Sequence, residues 1–546
     1  MEFDYVIVGG GSAGATLASR LSEQADISVC LIEAGGEGRG MLVRAPAGVI
    51  AMVPGKINNY AYQTVPQQGL NGRRGYQPRG RCLGGSSAIN AMLYIRGQRE
   101  DYDAWARLGC SGWSYDEVLP YFIRAEANQR GAGALHGASG PLQVANQQTP
   151  RRITADFIAA AIESGYRRND DFNGPQQEGV GYYQVTQFHG GPRNGERCSA
   201  AAAYLEPVRA RRNLTILTQT RALKIRFDGR RAAGVELLGA GGNGYVAARR
   251  EVILCGGAFN SPQLLMLSGV GDPEQLTRHG IALHHALPGV GKNLQDHLDY
   301  ILSYSCKETD LFGLGAAGAV RTLKAIAQWR RDGTGMIATP FAEGAGFLKS
   351  DAMQPRPDIQ LHFVISIVED HARTLKWGYG WSCHVCVLRP KSRGEVGLND
   401  ANPLSAPRID PRFLSHPDDL ALLMQGVRQT SAIMQAPALA KHAPRPLQQL
   451  DLNDESQLVA SIRARADTIY HPAGTCKMGT DHLAVVDPQL RVHGLQGLRV
   501  VDASIFPNLI SGNTNAPTIM VAERAADLIR AAAAASSDSG QVSVPV

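Results

Sequence analysis

Apolar residues in this chain follow two rhythms. Short unbroken runs rich in β-branched residues occur at 5–8 (YVIV), 29–32 (VCLI), 250–257 (REVILCGG) and 498–501 (LRVV). Runs this short, bounded by glycines or an acid, predict strands buried on both faces. Helical spacing fills 15–21, much of 100–125, 153–164, 258–271 and a last stretch from Pro517 to about Ala534. Ser114 three residues before Glu117 predicts a capping box. Residues 213–237 alternate apolar with polar and predict a hairpin or the edge of a meander. From about 298 to 465 the texture changes. Strand-like runs at 358–366 (DIQLHFVIS) and 382–388 alternate there with helices at about 317–331 and 417–435. That predicts a second domain, an antiparallel sheet with helices, covering the first. The tail SSDSGQVSVPV reads as frayed, and no internal repeat is visible.

The first run opens a complete βαβ unit. Gly9, Gly11 and Gly14 follow it in G-x-G-x-x-G spacing, a helix follows, then the second run ends in Glu33. Gly9 permits the tight turn, Gly11 lets a pyrophosphate approach the backbone, and Gly14 lets helix and strand pack closely. The helix N-terminus then faces the diphosphate, and Glu33 stands where an acid accepts both ribose hydroxyls of an adenosine. The motif predicts an adenine dinucleotide without separating FAD from NAD. A second glycine-rich turn, 84–87 (GGSS), lies in the stretch 79–97 and leads into an apolar segment. It is either a tight turn before a helix or a second surface for a diphosphate or an isoalloxazine ring. The irregular, Gly- and Pro-rich excursion 35–80 is long enough to predict a functional loop.

Composition excludes more than it assigns. The 546 residues predict two or three domains with ample core. Net charge is +6, but charges are interspersed, so nucleic acid is not implied. No apolar run is long enough to span a membrane, and a strand by residue 5 leaves no room for a signal peptide. Nine cysteines are few and odd in number, which fits a reducing cytoplasm. Cys383 and Cys386 form C-x-x-C within a strand-like run with no second pair, so no metal site is expected. Helix 317–331 carries Arg321, Lys324, Arg330 and Arg331 beside an apolar stripe. It reads as a solvated face or, at most, a peripheral contact with the inner face of the membrane.

Five stretches in order, the N-terminal unit, 79–97, 257–271 (GAFNSPQLLMLSGVG), 470–479 (YHPAGTCKMG) and 498–518 (LRVVDASIFPNLISGNTNAPT), resemble the glucose–methanol–choline (GMC) flavoprotein oxidoreductases, closest to the choline-dehydrogenase-like and alcohol dehydrogenase branch. The resemblance implies an α/β, α+β overall, architecture. A discontinuous Rossmann-like FAD domain (1–150, 196–297, 466–546) would carry a substrate domain of antiparallel sheet and helices (151–195, 298–465). It implies FAD contacts from Gly9, Gly11, Ser12, Gly14 and Glu33, from Gly85, Asn90, Ala91, Met92 and Leu93, from Ala222, and from Asp502, Ala503, Asn515 and Thr518. Ile89 stands where some members carry a flavin-linking histidine, so the FAD is expected to be noncovalent.

The resemblance also implies His471 and Asn515 as the catalytic pair. The chemistry agrees: oxidising an alcohol by hydride transfer to flavin N5 needs a base for the hydroxyl proton, and a neutral imidazole serves. An asparagine can hydrogen-bond the same oxygen without competing for the proton. Pro517 suits the first turn of a helix whose positive end would face the flavin. The expected reaction is a primary alcohol to its aldehyde, with a quinone or dye taking the electrons. The alternatives are an oxidase using oxygen, of aryl-alcohol or hydroxymethylfurfural type, and a hydroxynitrile lyase with a non-redox flavin. The expected protein is a monomer or homodimer in the bacterial cytoplasm.

Overall fold

A computed structural model describes residues 1–313, 316–374 and 376–539, without the side chains of 316–320 and 536–539. The fold is mixed α and β, built on two large sheets. Strand Glu2–Val8 lies at the centre of the first. It pairs in parallel with Val29–Ile32 on one side and with Gly242–Leu254 on the other. The second half of Gly242–Leu254 also runs parallel to Leu498–Val500, while its first half folds back on Arg231–Gly239 and then Arg221–Asp228. Val6, Ile32, Ile253 and Val500, far apart in the chain, therefore lie in one sheet, all almost fully buried. Continuous apolar runs are what a strand covered on both faces requires.

The stretch 213–237 divides. Arg221–Asp228 and Arg231–Gly239 form the expected hairpin, but Leu214–Leu217 pairs in parallel with Val29–Ile32. It is an edge strand, so its alternation reflects one covered face. Earlier in the chain lie helices Arg99–Arg107 and Tyr115–Ala125, the latter with the Ser114–Glu117 capping box in place. The excursion 35–80 contains two single-turn helices, Met41–Arg44 and Val49–Met52.

The last helix, Asn515–Ser539, packs on the first, Ser12–Leu21. It begins two residues before Pro517 and runs through Ser539, so the first four residues of the tail expected to be frayed, 536–539, are helical, and the rest of that tail lies outside the described residues. Glu523 on this helix is fully buried and takes Arg20, Arg124 and the Tyr204 hydroxyl as partners. That buried hub joins the beginning, middle and end of the chain. Removing one partner of such a group costs about 3–5 kcal/mol.

The second sheet is antiparallel through Leu298–Cys306, Tyr379–Val387, Ile359–Val364, Ala342–Leu348 and Gly179–Tyr182. Asp467–Thr468, late in the chain, also joins it, beside Leu298 and Asp299. One face is apolar: Tyr300, Leu302, Leu361, Phe363, Trp381 and Val385 form a core with helices Arg152–Glu163 and Pro417–Gln435. The other face is mostly polar. The register sets Gln360 opposite Cys386, His362 opposite His384 and Asp299 opposite Cys386, all on this second face. Cys383 and Cys386, an odd number of residues apart, point to opposite faces. Among the described residues no cluster could hold a metal, and all nine cysteines are free.

Candidate active site

The polar face of the second sheet looks across a large cavity at the C-terminal ends of the parallel strands in the first. This is the crevice where α/β sheets bind ligands. Gly9, with φ 106°, makes the turn, and a Cβ on it would lie 2.4 Å from the Cys255 carbonyl oxygen. A Cβ on Gly14 would sit 1.9 Å from the Gly9 oxygen, so Gly14 serves helix packing and does not line the cavity. A Cβ on Gly11 would meet nothing nearer than the Gly85 Cα at 3.9 Å and would project into the cavity. Gly11 and Gly85 thus bring the two glycine turns together backbone to backbone.

Glu33 lines one end. Its carboxylate accepts from the Gly10 and Gly35 N–H groups, and burial pushes its pKa up to about 7 against those bonds and Arg81. Ala222 lies at the cavity wall, as do Asn90, Ala91, Met92 and Leu93. Asn90 accepts from the Met92 N–H and from the buried Arg197. Ile89 is buried in the same wall and offers no nucleophile. Asp502 and Ala503 line the floor. The Asp502 carboxylate accepts from the Gly257 N–H and the Ser261 hydroxyl through one oxygen and from the Ser504 N–H through the other, and burial raises its pKa. Two helix N-termini, at Ser12 and Asn515, point into this space with Thr518 one turn further on. They supply unpaired N–H groups and positive dipole ends.

His471 stands where the two sheets face each other. Its backbone N–H donates to Asp296 at 2.9 Å, and Arg79 donates to the preceding carbonyl at 2.8 Å. Tyr470, with φ 76°, occupies the left-handed region, a strain held by these bonds. The ring's tautomer follows from its partners. His297 Nε2 lies 2.9 Å from the Leu388 carbonyl oxygen, which can only accept. His297 Nε2 therefore carries the proton, and its Nδ1 accepts from His471 Nδ1, 3.0 Å away. The lone pair of His471 is left on Nε2, toward the cavity. Burial, with His297, His362 and Arg79, holds the His471 pKa well below its usual value, so the imidazole is neutral at pH 7. Burial likewise lowers His297 to about 4.

The asparagine beside this ring is Asn513, whose Nδ2 lies 3.1 Å from His471 Nε2. The sequence-based expectation placed Asn515 there. Asn515 instead accepts from the Ser12 hydroxyl at 2.7 Å, joining the N-termini of the last and first helices. The physical reason is where the helix begins. The chain enters its first turn at Asn515, which swings that side chain toward Ser12, while Asn513 stays in the loop facing the second sheet. Orientation of the Asn513 amide is also fixed. Tyr183 donates to the Leu361 carbonyl and so accepts from Gln360 Nε2, which donates as well to Asn513 Oδ1 at 3.0 Å. Asn513 Nδ2 must then point its N–H at His471.

Residues 3–299 match the N-terminal GMC oxidoreductase domain and residues 390–522 the C-terminal one. The chain is 46% identical over 531 residues to an alcohol dehydrogenase [acceptor] of Pseudomonas putida, covering 96% of this chain and 95% of that protein. It is 43% identical over 542 residues to human mitochondrial choline dehydrogenase, covering 97% and 90%. This chain belongs to the GMC oxidoreductases. Among solved structures, pyridoxine 4-oxidase from Mesorbium loti superposes with a TM-score of 0.86 at 32% identity, covering 96% of this chain and 98% of that one. A variant of formate oxidase from Aspergillus oryzae gives 0.88 at 26% identity, covering 97% and 98%.

The protein is accordingly an FAD-dependent GMC oxidoreductase acting on CH–OH donors, and the cavity fits that cofactor. It runs continuously from Glu33 and Ala222 past the Gly11–Gly85 contact to His471. A side chain at Gly11 would obstruct it midway, which is what a pyrophosphate lying against bare backbone requires. Of the FAD-contact residues named from the sequence, every one but Gly14 lines it. Those unforeseen are Asn513, His297 and Gln360. The second asparagine of G-N-T-N was in view, but where the helix starts decides which one faces the base. The alternation of Gln360 and His362 with Leu361 and Phe363 was a visible sign of a sheet face turned to something polar.

Proposed function

We propose that this GMC oxidoreductase converts a primary alcohol to its aldehyde with His471 as the base. The observation that carries the proposal is the fixed Nε2 lone pair of a neutral, buried imidazole opening on the FAD cavity. When bound, the flavin supplies the acceptor for the hydride leaving the carbinol carbon. His471 Nε2 takes the hydroxyl proton, and His297 remains the acceptor for Nδ1–H before and after that transfer. The Asn513 N–H, held toward Nε2 by Gln360, would pass from Nε2 to the substrate oxygen once the hydroxyl donates to the base, and so fix the hydroxyl there. Ile89 supports noncovalent FAD.

We assign the electrons to a quinone or dye in preference to oxygen, in keeping with the alcohol dehydrogenase [acceptor] relative. A panel of primary alcohols run with oxygen and with a dye in parallel tests both assignments. Flavin reduction by no alcohol under anaerobic conditions would refute the reaction, and faster turnover with oxygen would refute the acceptor. Among the described residues no helix is long and apolar enough to cross a membrane. Helix Ala316–Asp332 exposes Leu323 beside Arg321 and Lys324, which supports a peripheral contact with an anionic surface. Failure to sediment with anionic vesicles would rule that contact out.

A further inference from the structure

Resting on the alcohol reading, we propose that His384 is a specificity-determining residue: it masks the carboxylate of Asp299 and makes the site one for uncharged alcohols. Two carboxylates line the cavity among the described residues, Glu33 and Asp502. Both belong to the half formed by the first sheet, and both are engaged by backbone N–H groups. On the side of the second sheet the cavity is lined by Phe312, Phe341, Val364 and Ile367 beside the imidazoles of His362 and His384, with no carboxylate among the described residues. A cationic alcohol entering there would lose its hydration without gaining a counter-ion.

A third carboxylate lies just behind this wall. Asp299 sits on the same sheet face as His384 and is 4% exposed. Its Oδ2 accepts from His384 Nδ1 at 2.6 Å, and its Oδ1 is buried with no hydrogen-bond partner. His384 lines the cavity and Asp299 does not. Asp296, which accepts from the His471 N–H, has both oxygens engaged, the second by Gln77 and Thr468. The imidazole of His384 therefore stands between the cavity and the nearby carboxylate that keeps an oxygen free to balance a positive charge on a substrate. A spare buried carboxylate oxygen is costly, and the structure keeps it under a ring that consumes the other oxygen. Replacing that ring by a small side chain would open a path from the cavity to the acid.

The test compares choline with 3,3-dimethylbutan-1-ol, its uncharged carbon isostere, as reductants of the FAD holoenzyme. Shape is common to the two, so the ratio of their kcat/KM values reads charge alone. In the wild type the neutral alcohol should be preferred by roughly 100-fold or more, the cost of an uncompensated cation. In His384→Ala, and in the milder His384→Asn should the first fold poorly, the preference should fall at least tenfold. Adding Asp299→Asn to either variant should restore it. A purely structural role for His384 would lower both rates together and leave the ratio in place. That result, or choline matching its isostere in the wild type, overturns the assignment. If neither reduces the flavin while another primary alcohol of the panel does, the charge argument falls alone, and if no primary alcohol does, the alcohol reading falls and this one with it. If both do so at equal rates, only the charge argument falls.

Discussion

Replacing each of the two asparagines of the last motif separates catalysis from cofactor binding. Asn513→Ala removes an N–H donor 3.1 Å from the base, at a site already open to the cavity, so no packing is lost. What disappears is a hydrogen bond to an oxygen that becomes negatively charged as its proton leaves. Such bonds contribute about 1.5–3 kcal/mol, so flavin reduction should slow roughly 10- to 100-fold. Asn515→Ala removes the acceptor of the Ser12 hydroxyl between two helix N-termini. Its net cost is about 0.5–1.5 kcal/mol, felt in FAD affinity and melting temperature, with the reduction rate within about threefold of wild type. Gln360→Leu frees the Asn513 amide to rotate, which lets its oxygen face the Nε2 lone pair, and should give an intermediate loss. The assay is anaerobic stopped-flow reduction of FAD-loaded protein by a good primary alcohol, with FAD affinity measured in parallel. If Asn515→Ala slows reduction and Asn513→Ala does not, the geometry proposed for the base is wrong.

The base itself is tested by His471→Ala, which should keep FAD and lose roughly 10²- to 10⁴-fold in reduction rate. Because the His471 pKa is lowered well below 6.5, the active neutral form is the one present at neutral pH. Wild-type reduction should therefore be flat above pH 6.5, fall only on the acid side, and lose that acid limb in the mutant; a limb centred above 7 would contradict the burial argument. Gly11→Val should abolish FAD binding in a protein that still folds, whereas Gly14→Ala should lower the melting temperature, since its Cβ strikes the Gly9 carbonyl. Equal effects on both measurements would show that the two glycines share one role. Acid precipitation should release all the flavin, and fluorescence retained on the denatured chain would refute a noncovalent site.

Much of this was legible in the chain. Buried runs marked the strands that meet in the first sheet, because a strand packed against apolar layers on both faces is apolar at nearly every position. Glycines and Glu33 marked the dinucleotide turn, because only bare backbone fits there. The relay around the base was less legible. His297 and Gln360 act through partners 174 and 153 residues away in the chain. Nothing local distinguishes a histidine that fixes a tautomer from one that merely packs. Asn513 and Asn515 were separable only by knowing where the helix begins, and Pro517, compatible with more than one position in the first turn, did not fix that start.

The two asparagines also give a reason for the first sheet and the cavity to draw on the far end of the chain. The loop before the final helix must present one amide to the base under the second sheet and another to the first helix beside the cofactor. Both depend on how that helix sits, and Glu523, about two turns along it, locks it to Arg20, Arg124 and Tyr204. Breaking that lock should disturb FAD binding and the alignment of Asn513 together, because one rigid helix sets both. Glu523→Gln, which keeps the size of the side chain and removes its charge, should accordingly lower stability, FAD affinity and reduction rate in a single step. If it lowered stability alone, the position of Asn513 would have to be set locally, by Gln360 and the second sheet, and the last helix would be support for the cofactor only.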